Sequence, residues 1–160
     1  MGYLLTFLSS MVPIWELRGG IPLGHFAFGI PIWQCVIICI IGNLIPVPII
    51  YLFARKVLEW GKDKKYIGGF FTWCYEKGEK GGEKLNAKEG KGIFIALVLF
   101  IGIPLPGTGA WTGTLAASFL DMGLKKSFLA AVCGVLIASV IVTLACLGVL
   151  GAVGGLFAKY

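Results

Sequence analysis

Charge is what this sequence has least of. Only 14% of its 160 residues are Asp, Glu, Lys or Arg, and they include just two arginines, Arg18 and Arg55. With 58% hydrophobic residues and a mean hydropathy of +0.89, so little charge excludes an ordinary water-soluble domain and marks an integral membrane protein. The net charge of +6 comes mainly from one central segment flanked by membrane sequence and accompanied by no recognition motif. Topology explains it better than a nucleic-acid partner, and none is expected. Catalytic patterns are missing as well. There is no Ser/His/Asp arrangement, metal-spaced cluster or dinucleotide fingerprint. Pro106-Gly-Thr-Gly109 lacks the strand and the Gly-Lys-Ser/Thr ending of a phosphate-binding loop. Neither an enzyme nor a cofactor or metal is expected. The five cysteines, Cys35, Cys39, Cys74, Cys133 and Cys146, form no C-x-x-C pair, and four lie in apolar runs as small helix hydrophobes. No basic segment precedes the first apolar run and no A-x-A-like site follows it, so no cleaved signal peptide is expected.

What is present is organised around Pro13-Ile-Trp-Glu-Leu-Arg-Gly-Gly-Ile-Pro-Leu-Gly24, which sets Glu16 and Arg18 inside otherwise apolar sequence. A charge at bilayer depth costs a few kcal/mol or more and is usually kept because it faces a cavity, a partner or a substrate path. Pro13, Gly19, Gly20 and Pro22 break any continuous helix there. The apolar arms on either side, residues 3–14 and 21–30, each reach only about 15–18 Å as helix, short of the roughly 30 Å hydrocarbon core. Together they predict a re-entrant hairpin over 3–30. Residues 31–54 are long enough to span, with Asn43, Pro46 and Pro48 marking a kink.

Residues 55–92 carry ten Lys or Arg against six Asp or Glu, which places them in the cytoplasm by the positive-inside rule. Tyr66, Ile67, Phe70, Phe71, Trp73 and Cys74 recur at near-helical spacing, as in a short interfacial helix, and a solvated linker follows from Glu76. The pattern then returns. Residues 93–121 hold two short apolar arms around Pro104-Leu-Pro-Gly-Thr-Gly-Ala-Trp-Thr-Gly113, and residues 127–150 are again long enough to span. The predicted fold is thus all-α and integral to the membrane: an inverted repeat, 1–54 and 93–160, each half a re-entrant helical hairpin plus a transmembrane helix. Charge asymmetry puts both termini outside and both tips toward the midplane.

Opposed tips can build a site. Half-helices starting after Gly20 and after Gly109 would aim free N–H groups at the centre and, with Arg18, make a positive pocket for a phosphate or carboxylate. The alternative reading pairs Arg18 with Glu16 or with tip carbonyls. Glu16 is placed to exchange protons or to form a fixed ion pair, and His25 to relay protons or to sit hydrogen-bonded in the core. Thr108, Trp111 and Thr112 can line the cavity, and Asn43 can satisfy the opposing tip or its own kinked helix. The hairpin tips are assigned to Pro13, Gly19, Gly20, Pro22, Pro104, Pro106, Gly107 and Gly109. Gly20-x-x-x-Gly24 and Gly109-x-x-x-Gly113 are spaced for close helix packing.

The strings Glu16-Leu-Arg-Gly-Gly-Ile-Pro-Leu-Gly24, Gly42-Asn-Leu-Ile-Pro-Val-Pro48 and Pro104 to Gly113 together resemble the putative small multidrug export protein family. That family is a distant relative of the DedA membrane proteins, also called the VTT or SNARE-associated group. The resemblance implies paired re-entrant hairpins with spanning helices. In the wider group it implies transport or scrambling of lipids, including polyprenyl-phosphate carriers, with acidic and arginine residues at the hairpins where Glu16 and Arg18 stand. Unlike typical DedA proteins, this chain has no arginine after Arg55.

The expected function is transport of an amphiphilic, anionic, lipid-phosphate-like substrate through a midplane site between the hairpins, with proton coupling at Glu16 or His25. Substrate contacts fall to Arg18, Glu16, Thr108, Trp111, Thr112 and Asn43. Two alternatives stand: proton-coupled export of cationic drugs, and a non-transporting membrane organiser acting through the basic segment. The expected partners are membrane lipids, the substrate and a second copy of the chain. The expected location is multi-pass in a prokaryotic inner or plasma membrane.

Overall fold

The structure, a computed structural model, describes residues 1–13, 15–62, 89–105 and 108–157. The central segment from 63 to 88, with the interfacial helix expected there, lies outside the described residues, as do Pro106 and Gly107 of the second tip. The described chain is helical: α1 (Gly2–Met11), α2 (Glu16–Pro22) running into a π-helical turn (Leu23–Ala27), α3 (Ile32–Leu44), α4 (Pro46–Lys62), α5 (Glu89–Gly102), α6 (Ala110–Phe119) and α7 (Leu124–Phe157).

Breaks fall where proline leaves no alternative. Pro46 and Pro48 have no N–H to offer the carbonyls of Gly42 and Leu44, so α3 stops at Leu44 and α4 restarts with Pro46 in its first turn. Pro22 ends α2 in the same way, and the helix widens into the π turn behind it. The first reversal lies at Val12 to Trp15, earlier than the glycines imply. Helix α2 begins at Glu16 and holds Gly19 and Gly20 inside it, because there they serve packing: a Cβ on Gly20 would stand 2.8 Å from Cys39 Sγ.

Two apolar stretches are long enough to cross a membrane: Ile32–Ala54, which contains the proline break, and Leu124–Gly148, with mean hydropathies of 2.5 and 2.7. On α7 the small residues Ala130, Ala131, Ala138 and Cys146 face the core with Val135 and Val142, whereas Leu136, Val140 and Leu144 are 48–64% exposed. Large apolar side chains outward and small ones inward suit a helix solvated by lipid, since close backbone approach rather than hydrophobic burial holds such helices together. Around α7 the two ends of the chain pack in like manner. Helix α1 lies on α2 and α3, α2 on α3, and in turn α5 lies on α6 and α7, and α6 on α7. Contacts of α2 and α3 with α7, and of α4 with α6, join the two groups.

Candidate functional site

The site is the joint where the loop before α2 meets the loop between α5 and α6. Helix α6 begins at Gly109, which has no side chain to cap the helix, and its first N–H groups are buried with Ala110. A helix start at depth needs acceptors from somewhere. Glu16 supplies them from a part of the chain more than ninety residues away. Its Oε2 accepts from Ala110 N–H at 3.2 Å and its Oε1 from Trp111 N–H at 3.1 Å. The carboxylate is 4% exposed and sits at the positive end of the α6 dipole, which offsets the cost of burying it.

Two backbone features make room for this contact. Gly109 has φ 145°, a region that glycine alone visits readily, and a Cβ there would stand 2.6 Å from Glu16 Oε1 and nearer still to Oε2. Glu16 itself holds φ 47°, a conformation that costs a non-glycine residue of order 1–3 kcal/mol and that persists only when the surroundings fix it.

Arg18 serves the opposite polarity. Its Nη1 donates to Leu105 O, and its Nη2 to Ile101 O at 3.3 Å, Ile103 O at 3.2 Å and Thr108 Oγ1 at 3.0 Å. These carbonyls lie at and just beyond the C-terminus of α5, the negative end of its dipole. The Thr108 hydroxyl lies 2.9 Å from both Ile103 O and Leu105 O and so braces the same turn. The indole N–H of Trp111 closes a third helix end, donating to Met11 O at 3.1 Å. One tip therefore caps the other: an anion on the helix start, a cation on the helix end, and an indole in return.

Of the readings open for Arg18, tip carbonyls hold it; Glu16 takes backbone amides and forms no ion pair with it within reach. The free amides expected at the second tip are not free, because Glu16 occupies them. Asn43 is 1% exposed, yet both its amide atoms lack partners among the described residues. Among the described residues it therefore satisfies neither the opposing tip nor its own helix. Thr112 bonds only back to Gly109 O at 3.5 Å, and His25 lies in the π turn with Nδ1 donating to Ile30 O at 3.0 Å. Pro13 lies in the first reversal, and Gly19 lies within α2, where the Trp15 indole covers it.

Next to the joint is a cavity of about 360 Å³, lined by Arg18, Pro22, Phe26, Pro104, Ile141, Val142, Ala145 and Cys146. Its α7 wall is invisible to sequence reading, because nothing distinguishes those four residues from the rest of an apolar helix. The capping role of Glu16 did leave a trace: an apolar helix starting on Gly109 with no Ser, Thr, Asp or Asn to cap it, in a chain with one deep carboxylate.

The profile of the family described as "Putative small multi-drug export protein" matches residues 16–141, beginning at the capping carboxylate and ending on the cavity wall. This chain belongs to that family. No curated protein and no solved structure matches it. Membership, with two apolar helices of spanning length, makes this a membrane protein of the small multi-drug export type.

Proposed function

We propose that the chain is a small transporter in which two re-entrant hairpins, 3–30 and 93–121, enter the membrane from opposite faces and meet at the Glu16–Arg18 joint. The observation that carries this reading is the reciprocal capping. A carboxylate and a guanidinium are kept at depth, and each closes a helix end of the other hairpin, so the two move as a coupled pair or come apart. The like packing of α1, α2 and α3 and of α5, α6 and α7 supports an inverted repeat.

The cargo in this reading is an amphiphile of anionic character. The Arg18 guanidinium donates to carbonyls and a hydroxyl rather than to a carboxylate, and Arg18 is the charged group on the cavity wall. The distant relation to DedA lipid transporters that the family resemblance implies is in line with this reading. Glu16 would take the coupling proton, acting on the joint rather than on the cargo, since protonation removes the anion that holds the α6 start. Two hairpins and two spanning helices enclose too little to seal a path, so the working unit is a homodimer, multi-pass in the cell membrane with the basic segment inside.

The test is flux in proteoliposomes, comparing an anionic and a cationic fluorescent amphiphile of equal size. The anionic probe should move and the cationic one should not. Movement of the cation alone would replace the anion reading with drug-cation export, and movement of neither would end the transport reading.

A further inference from the structure

We infer that Asn43 is a positioning residue for Glu16: on taking up a proton, the Glu16 side chain leaves the start of α6 and pairs with the Asn43 side-chain amide. The inference rests on the proton-coupled reading of Glu16 for its purpose, though not for its placement.

Two sets of contacts bring Asn43 to the joint. A Cβ on Gly24 would stand 2.7 Å from Cys35 Sγ, and one on Gly20 would stand 2.8 Å from Cys39 Sγ. Each turn back along the first hairpin is thus matched by a turn forward along α3, and the next turn sets Glu16 against Asn43. On the other side Ser118 of α6 donates to Tyr51 O of α4 at 3.1 Å. Followed back equally from that contact, the two stretches bring Ala110 level with Asn43, and Ala110 N–H is the donor that Glu16 Oε2 already holds.

At this depth Asn43 has two unmet needs. It is 1% exposed, and neither its amide oxygen nor its amide nitrogen has a partner among the described residues. Both atoms are closed in by packing, so a neighbouring side chain has to answer them. A carboxylate only accepts, and would serve the nitrogen alone. A carboxylic acid carries one O–H and one C=O, the complement of a carboxamide, and serves both atoms at once. The proton comes from water on the aqueous side and goes to one Glu16 oxygen. That O–H then donates to Asn43 Oδ1, while the other oxygen accepts from Nδ2–H. The start of α6 loses its anion, and the two hairpins are released from each other.

Arg18 is the charged side chain at the joint beside Glu16, and its guanidinium stays on the end of α5 throughout. The helices packed around the pair bring only thiols as titratable groups at this depth, among them Cys39 one turn before Asn43. Lys56, Lys91, Lys125 and Lys126 lie farther along α4, α5 and α7.

Asn43 and Asn86 are the two asparagines of the chain. Nitrogen-labelled asparagine therefore gives a readable side-chain spectrum of the full chain in nanodiscs by solid-state NMR, with Asn86→Gln to assign it. On acidification the Asn43 amide signal should move. In Glu16→Gln, whose neutral amide offers the same donor and acceptor as the acid, it should stand at the moved position at every pH. Asn43→Leu removes two unmade groups, so at high pH it should melt at or above the wild type. The same variant should slow proton-driven flux of the anionic probe by about tenfold, through loss of the pair.

An Asn43 signal indifferent to acidification would overturn the exchange, as would one that still moves in Glu16→Gln. Melting of Asn43→Leu well below the wild type at high pH would show an amide already bonded beside the ionised carboxylate, and would overturn it too. A moving signal without proton-driven flux would leave the exchange standing and remove the export reading. Proton-driven flux with a still signal would do the reverse.

Discussion

Replacing Glu16 by Gln separates a carboxylate that holds the structure from one that only awaits a proton. In the native joint both carboxylate oxygens accept a buried N–H, from Ala110 at 3.2 Å and Trp111 at 3.1 Å. Gln keeps the shape but brings one acceptor and one donor group, so one of the two N–H groups loses its partner. An orphaned buried donor costs about 1–3 kcal/mol, and removing the anion from a helix start about 0.3–2 kcal/mol more. Taking about 3 kcal/mol for the sum, and about 2–4 °C per kcal/mol for a chain of this length, the unfolding midpoint should fall by about 6–12 °C. Thermal unfolding in detergent, followed by tryptophan fluorescence, measures it. Gly109→Ala, which drives a Cβ into the same carboxylate, should destabilise the native chain more than it destabilises Glu16→Ala, so a double-mutant cycle on these two changes should be strongly non-additive. A Glu16→Gln protein that melts with the wild type would refute the cap.

Arg18→Lys keeps the charge and loses the fork that reaches Ile101, Ile103, Leu105 and Thr108 together, so it should lower stability by about 2 kcal/mol, measured by the same unfolding assay. Gly42→Ala should cost about 1–3 kcal/mol, because its Cβ would collide with Ser10 Oγ and stand 2.9 Å from Phe7 O. Ser10→Ala in that background removes the first clash and should recover part of the loss, which unfolding of the double variant reads directly.

The sequence by itself determined that this is a helical membrane protein, where its proline breaks fall, and that Glu16 and Arg18 stand out as charges in apolar sequence. Those conclusions follow from local quantities: the length of an apolar run, a missing N–H at Pro46, the cost of a charge at depth. The family strings were legible for the same reason, being short and contiguous. Only the tertiary structure decided what the two charges do. Whether Glu16 meets Arg18, a substrate or the start of α6 depends on which helix ends are brought within hydrogen-bonding reach, and no local pattern encodes a contact spanning more than ninety residues. It likewise left both Asn43 amide atoms without a partner among the described residues, and it assembled the cavity from three separate stretches whose residues, Arg18 apart, are ordinary membrane apolars when read singly. Composition fixes the solvent a chain must face; which polar groups it shields from that solvent, and with what, is settled by packing.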